Sequence, residues 1–328
     1  MSLLSTLKGQ PIAQRTLEQA LMHGNVHHAY LFDGPDGVGK ELAAFGLAQA
    51  LVCEHPTLDR LACGVCSACM RVPPRGEKRL AIHPDVVVLE RGLYEPPQIG
   101  RRAPEVTEIS IDQVRTLVLS RSQYSAHEGR ARVFIVRRVD ELSIAAANAL
   151  LKTLEEPQNA THFVLLTTQI GSLLPTIRSR TQRVRFGTLP VAIMHDLLIE
   201  QGVARTDAAR IASLADGSMS RAHALRTAEG DAMSDLATRA RAAVDSPTLE
   251  SALAIAEDLK RASRDDARRA VDQLAHALSV EARMLVGTHE GDRAARRYED
   301  TQQAIKAFDQ NGSVQLVTEI LFINLQKA

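Results

Sequence analysis

The chain has 328 residues, of which 45% are apolar and 24% are charged, a balance typical of globular proteins with two or three domains. Basic and acidic residues number 39 each, so the formal net charge of zero excludes a global positive field for nucleic acid, although not a local patch. Aromatic residues reach only 3% and tryptophan is absent, which argues against a surface that stacks the bases of single strands.

The first residues, MSLLSTLKGQP, lack the basic flank and the apolar core of a secretory signal. No later apolar run reaches the roughly 20 residues that a membrane-spanning helix needs. We therefore expect a soluble, cytoplasmic protein without a membrane partner.

A short apolar strand leads into a glycine-rich loop with the frame G-x-x-x-x-G-K, which is typical of phosphate-binding loops. In such loops the backbone N–H groups and the lysine hold phosphates, and the residue after the lysine offers a hydroxyl to magnesium. Here that residue is Glu41, whose carboxylate repels phosphate by about 1 kcal/mol at about 4 Å in water. The candidate nucleotide-binding residues of this degenerate loop are Gly34, Gly37, Gly39, Lys40 and Glu41.

All four cysteines follow within seventeen residues, in the order C-x9-C-x2-C-x2-C: Cys53, Cys63, Cys66 and Cys69. Thiols this close together, in a chain without a secretion signal, suit a tetrahedral zinc ion better than disulfides. Four thiolates leave no open coordination position, so we expect a structural zinc module over residues 53–70. A zinc knuckle that reads DNA sequence is an alternative, although no basic recognition helix adjoins the cysteines.

Short apolar strands and helices alternate up to residue 187, which predicts an α/β domain with a parallel sheet flanked by helices. A basic loop over 71–79 and a long mobile insertion over 92–107 interrupt the alternation. Beyond Pro190 only helical patterns remain, so we predict domains at 1–187, 188–229 and 230–328. The predicted strands cover 30–32, 85–90, 131–136, 162–168 and 183–186, and the helices of the first domain cover 11–23, 41–52, 111–119, 144–156 and 173–178.

Four segments in this order carry a resemblance to a known family: HHAYLFDGPDGVGK, the CxxCxxC module, AAANALLKTLEEP and TIRSR. Together they resemble the bacterial clamp-loader ATPases of the AAA+ class, closely over residues 8–188 and beyond that only in helical character. The resemblance implies a AAA+ P-loop domain with an inserted zinc module, a small helical lid domain, and an all-α C-terminal collar domain for oligomerisation. Within the family, the pattern is most similar to delta-prime subunits of DNA polymerase III.

Several positions depart from the pattern of the ATP-hydrolysing members. An acidic pair should follow the strand over 131–136 to hold magnesium and orient water, but Arg137 and Arg138 stand there. Asp140-Glu141 comes three residues later, and we expect it not to reach the same position. The lid has Gly217-Ser218-Met219-Ser220, with Arg221 one place late for the family's sensor arginine. The departures predict that this chain has no independent ATPase activity, while ATP binding without hydrolysis stays open.

The segment Ser179-Arg180-Thr181 stands in the place of the family's Ser-Arg-Cys motif. The resemblance implies that Arg180 acts in trans, as an arginine finger on ATP bound to a neighbouring subunit, worth about 10³ or more in rate. The alternative is an ordinary surface arginine in a basic stretch. The alanine-rich helix over 144–156 also has two interpretations, a plain core helix or an N-terminus that faces DNA phosphates.

The resemblance implies a non-hydrolysing stator in a hetero-pentamer with gamma/tau and delta subunits. Such a complex loads the sliding clamp onto primer-template DNA during replication. The implied cofactors are structural Zn²⁺ and, if it binds, ATP that is not hydrolysed. The alternative is an ATP-hydrolysing motor subunit of the gamma/tau type, and Arg137-Arg138 is the feature that argues against it.

Overall fold

The computed structural model describes residues 2–57, 59, 61–102, 108–158, 160–226, 239–244, 249–261, 263–309 and 312–327. It divides into two compact units, residues 1–222 and 223–328. Within the described ranges, no helix has both the length and the apolar character required to cross a membrane. The second unit is helical, and the first contains the sheet.

The first unit is built on five parallel strands, which are β1 Ala29–Asp33, β2 Val86–Leu89, β3 Arg132–Val136, β4 Thr161–Thr167 and β5 Gln182–Arg185. Their spatial order is β2-β3-β4-β1-β5. Strands β2 and β3 are buried along their whole length, as parallel strands covered by helices on both faces require. Strand order places β1 between β4 and β5, so the segment leaving β1 lies at the carboxyl edge of the sheet, one strand in from β5.

Two cores lie on opposite faces of the sheet because successive strand side chains alternate between faces. Phe32 packs with the first two helices on one face, and Leu31 belongs to the core on the second face, which includes helix residues Val114, Leu150 and Ile177. The helices of this unit are α1 Pro11–Met22, α2 Lys40–Val52, α3 Ser67–Arg71, α4 Ile111–Val114, α5 Ser120–Ser122, α6 Ile144–Glu155, α7 Pro175–Arg178, α8 Val191–Glu200, α9 Arg205–Leu214 and α10 Met219–Ala224. A π-helical segment, Arg115–Leu119, joins α4 to α5.

The second unit has its own apolar core, which includes Leu259, Val271, Leu278, Phe308 and Phe322. Its helices are α11 Leu249–Arg261, α12 Arg264–Met284, α13 His289–Asp309 and α14 Val314–Lys327. The all-helical prediction for this region is therefore confirmed for the part of it that the structure describes. The division into three domains at 188 and 230 stays a prediction.

The strands and helices predicted for the first domain are confirmed, with ends that differ by at most two residues in all but one case. The helix predicted over 111–119 is π-helical at Arg115–Leu119 and continues to Ser122. The insertion predicted over 92–107 is more ordered than expected in its first half. A 3-10 helix, Pro96–Ile99, is closed by a capping box between Glu95 and Gln98, and Ile99 is buried. Residues 103–107 lie outside the described residues.

Candidate functional site: the phosphate loop and its surroundings

The phosphate loop connects the carboxyl end of β1 to the first turn of α2, as the sequence predicts. Gly37 and Gly39 both have left-handed backbone conformations, with φ of 69° and 102°. A Cβ atom on Gly37 would lie 2.3 Å from the backbone nitrogen of Ser220, and the Met219 N–H donates to the Gly37 carbonyl at 2.9 Å. Only glycine therefore lets the start of α10 pack this closely on the loop.

Lys40 is buried at the base of the loop and turns back onto the loop's own backbone. Its Nζ donates to the carbonyl oxygens of Gly34 and Pro35, both at 2.5 Å. Burial lowers the pKa of Lys40, against the opposing effect of the carboxylates of Asp36, Asp33 and Asp140. The lysine that would reach a phosphate is thus satisfied by carbonyl oxygens of its own chain.

Arg137 occupies the position directly after β3, where a hydrolysing relative needs an acid. Its backbone N–H donates to the Leu89 carbonyl at 2.9 Å, which extends the β2–β3 pairing by one residue and turns the side chain toward α2. Its guanidinium donates to Glu41 Oε1 at 2.5 Å and to Glu90 Oε2 at 2.8 Å. Glu41, which alone would repel a phosphate, is therefore neutralised within the protein.

Backbone oxygens complete the environment of the Arg137 guanidinium. The carbonyls of Arg79 and Lys78 accept from it at 2.6 and 3.3 Å, so the segment after the cysteine module also contacts this site. The side chain is only 10% exposed. A cavity of about 350 Å³ adjoins the ion pairs and is lined by both acidic and basic side chains, including Glu77 and Arg91.

Arg138, the second arginine after β3, also pairs with an acid of the phosphate loop. It lies 3.6 Å from Asp36 and 3.3 Å from Glu141, and its backbone has a left-handed φ of 50°. Burial works to lower the pKa of Arg138, but the two carboxylates outweigh it and raise the pKa above its ordinary value. Both arginines are therefore ion-paired with carboxylates of the loop itself.

The acidic pair expected to lie beyond the strand's end is in a 3-10 helix, Val139–Glu141. Asp140 still reaches the neighbouring strand, where it accepts a hydrogen bond from Thr167 Oγ1 at 2.6 Å, and its charge acts on Lys40. Asp140 is therefore closer to the loop than the sequence suggested. The strand-end position itself belongs to Arg137.

The four cysteines come together in one cluster, with all Sγ atoms within 4.8 Å of one another. Tetrahedral zinc thiolates with Zn–S bonds of about 2.3 Å have sulfur atoms about 3.8 Å apart, so this donor set fits the metal. Backbone N–H groups of Cys63, Cys66 and Cys69 donate to sulfur atoms of the cluster at 3.3–3.5 Å. Backbone hydrogen bonds from Val65 and Cys66 lower the pKa of Cys63 to about 6.

Arg180 lies two residues beyond the end of α7, with its side chain one-third exposed. Its Nε donates to Glu155 Oε1 at 2.5 Å, and its Nη1 donates to the Thr176 carbonyl at 2.9 Å. Together with the Ser179 hydroxyl, which accepts from Nη1 at 3.3 Å, these groups of its own chain hold the guanidinium at the surface.

The N-terminus of α6 is capped by Ser143, whose Oγ accepts from the Ala146 N–H at 3.1 Å. Ile144 and Ala145 are exposed there, while Ala146 and Leu150 are buried. One face of the helix is thus core, and contact between its N-terminus and DNA stays a prediction.

A family model described as DNA polymerase III, delta subunit matches residues 9–190, more than half of the 328 residues. The chain belongs to this family. It is a family of clamp-loader subunits of the AAA+ class, so the resemblance stated from the sequence is confirmed at that level.

Relatives of two kinds match the chain. The delta-prime subunit of Pseudomonas aeruginosa is 39% identical over 153 residues, which cover 47% of this chain and 41% of that protein. The delta-prime subunit of Bacillus subtilis is 32% identical over 194 residues, covering 59% and 52%. A gamma/tau subunit of Mycobacterium tuberculosis is 36% identical over 205 residues, covering 61% and 32%. The chain thus spans about a third to a half of these relatives, and similarity does not separate the two subunit types.

Several residues of the site were not singled out from the sequence. Glu90 directly follows β2, and the carbonyls of Lys78 and Arg79 belong to the basic loop predicted over 71–79. The position of Glu90 at the carboxyl end of a strand next to β3 was the one available signal. Hydrogen bonding by backbone carbonyls has no signature in residue type.

Proposed function

We propose that this chain is the delta-prime-type stator of a DNA polymerase III clamp loader. It takes part with gamma/tau and delta subunits in loading the sliding clamp onto primer-template DNA, and it does not hydrolyse ATP itself. The observation that carries the proposal is the buried Arg137 in contact with Glu41.

ATP hydrolysis on a phosphate loop requires a hydroxyl after the lysine and an acid at the strand end, which together hold the magnesium ion. This chain has Glu41 and Arg137 at those positions, and the two side chains bind each other. A motor of the gamma/tau type needs the opposite charge at residue 137. The ion pair therefore favours the stator over the motor.

Arg180 is the residue that we assign to catalysis, acting on ATP of a neighbouring subunit. Its planar guanidinium can bind phosphate oxygens with two N–H groups at once, which lysine cannot do. The contacts with Glu155 and the Thr176 carbonyl hold it at the surface before a phosphate arrives. Surface ion pairs are worth at most about 1 kcal/mol, so exchange of Glu155 for a phosphate is inexpensive.

The cysteine cluster is proposed to hold one structural zinc ion. The four sulfur atoms converge on one centre, and a site with four thiolates has no position for substrate. Zinc would fix the connection between α2, which carries Glu41, and the segment whose carbonyls hold Arg137.

The test of the catalytic assignment is Arg180→Ala in the reconstituted clamp-loader complex. DNA-stimulated ATP turnover is expected to fall by about 10³, since a trans arginine supplies that much in related phosphoryl-transfer sites. Arg178→Ala is the matched control, because it removes an exposed arginine at the end of α7, two residues before Arg180. Turnover that stays at the wild-type rate with Arg180→Ala would refute the assignment.

A further inference from the structure

Phosphate loops normally hold Mg²⁺ between the residue after the lysine and the acid at the strand end. Magnesium demands oxygen ligands at about 2.0–2.1 Å in a near-ideal octahedron. In this chain one of the two ligand positions is a guanidinium, which has five N–H donors and no lone pair for a metal. The residues present therefore do not fit the ion that the fold family uses.

We propose that Arg137 is the built-in cation of this phosphate loop and takes the place of Mg²⁺. The loop then keeps one conformation whether or not divalent metal is present, and it does not select for the Mg²⁺ complex of a nucleotide. This inference rests on the proposed non-hydrolysing role and adds to it a specificity-determining residue. The cation of this site is then the Arg137 guanidinium, which the chain itself supplies.

The contacts of Arg137 make the cation a permanent part of the site. Its two terminal nitrogens bind four acceptors that come from three separate segments of the chain. These are Glu41 on α2, Glu90 after β2, and the carbonyls of Lys78 and Arg79. A metal ion would have to displace a guanidinium that is 90% buried, and it would leave that charge without its partner acids.

The ion pairs around the loop also disfavour a bound Mg²⁺ ion. Glu41 and Glu90 would both be available to a cation, and the Arg137 guanidinium lies within hydrogen-bond distance of each, at 2.5 and 2.8 Å. Arg138 adds a second positive charge beside Asp36, at 3.6 Å. Glu41, Glu90 and Asp36 are therefore already paired with cationic residues of the chain.

The experiment measures ATP affinity and thermal unfolding of the isolated full chain, in buffer with magnesium and in buffer without magnesium, with zinc supplied equally in both. Wild-type protein is expected to behave alike in both buffers, whether its ATP affinity is measurable or not. The variant Glu41→Thr with Arg137→Asp restores a hydroxyl and an acid. It should bind ATP at least about tenfold more tightly with magnesium, the equivalent of about 1.4 kcal/mol.

The matched control is Glu41→Thr with Arg138→Asp, which changes the same number of charges but leaves Arg137 in place. Its ATP affinity should not respond to magnesium. The inference is overturned by a tenfold magnesium response of the wild-type chain, or by a folded Arg137→Asp double variant without one. If that variant does not fold, the wild-type titration alone decides. Neither result depends on the Arg180→Ala assay, so failure of this inference and failure of the proposed function are distinguishable.

Discussion

Arg137 and Arg180 both stand in positions that matter to nucleotide chemistry in this fold, and their surroundings differ. The Arg137 side chain is 10% exposed and binds two carboxylates and two carbonyls. The Arg180 side chain is 33% exposed and is held by one carboxylate, one carbonyl and the Ser179 hydroxyl at the surface. A buried charge paired with two carboxylates is fixed, whereas a charge at the surface can change partners.

Arg137 therefore belongs to the structure of the first unit, whereas Arg180 is the residue that we propose for catalysis. The phosphate loop keeps the glycines that allow α10 to pack on it, while its charged groups are paired with one another. The partly exposed Arg180 pairs at the surface with Glu155, a partner that a ligand from another molecule can replace. The phosphate loop therefore supports the fold of the first unit. The catalytic contribution of the chain is proposed to come from Arg180, which acts on ATP of a neighbouring subunit.

Loss of the zinc ion is expected to destabilise the protein more than any substitution at Arg137, Arg138 or Glu155. Structural zinc contributes of the order of 10 kcal/mol of binding free energy in small modules, and Cys69→Ser removes one of four ligands. Metal content should fall from about one zinc per chain to nearly none by atomic absorption. A folded wild-type protein purified without any bound metal would contradict the assignment.

Cys69→Ser should also loosen the backbone that contacts Arg137 more than the backbone around Arg180. Hydrogen exchange is expected to increase over 71–82, which includes the carbonyls that accept from Arg137, and to stay unchanged over 175–181. Ser67→Ala is the matched control, since it alters the module without removing a sulfur. Equal increases in both segments would show that the effect is general unfolding.

Arg137→Ala should reduce the free energy of unfolding by about 1–3 kcal/mol, because Glu90 loses its buried partner and Glu41 keeps only the exposed Arg79, at 3.4 Å. Arg138→Ala removes an arginine that is half exposed and should cost no more than about 1 kcal/mol. Urea unfolding of both variants measures the difference. Similar losses of unfolding free energy in the two variants would show that Arg137 is held no more firmly than Arg138.

Glu155→Ala tests how firmly Arg180 is held, and its expected effect on stability is the smallest. The pair is exposed, so the free energy of unfolding should change by less than about 1 kcal/mol. In the reconstituted complex, Glu155→Ala should change the ATP concentration at half-maximal turnover. The same substitution should have no such effect when Arg180 has already been replaced by alanine. A stability loss as large as that of Arg137→Ala would mean that Arg180 is structural.

Local signals were sufficient for much of the fold and for parts of the site. The frame from Gly34 to Lys40, the spacing of the cysteines and the apolar runs of the strands are each determined within a few neighbouring residues. The N-cap of α6 is equally local, since the Ser143 hydroxyl accepts from the Ala146 N–H three residues later. Such features are predictable because their physical causes are local.

The pairing of Glu41 with Arg137 could not be predicted in the same way. The two residues are 96 positions apart, and they meet because β3 is paired with β2 and α2 starts at the same edge of the sheet. The sequence showed two separate departures from the pattern of an ATPase, and only the fold shows that they neutralise each other. The ordered start of the 92–107 insertion is a second case, since burial of Ile99 depends on the tertiary structure.

The most direct test compares Lys40→Ala and Arg180→Ala in this chain, each assembled with wild-type partner subunits and confirmed to be folded. The account predicts that Lys40→Ala leaves DNA-stimulated ATP turnover near the wild-type rate, and that Arg180→Ala lowers it by about 10³. The opposite pattern, with turnover lost in Lys40→Ala and retained in Arg180→Ala, would identify the chain as a motor and contradict the account.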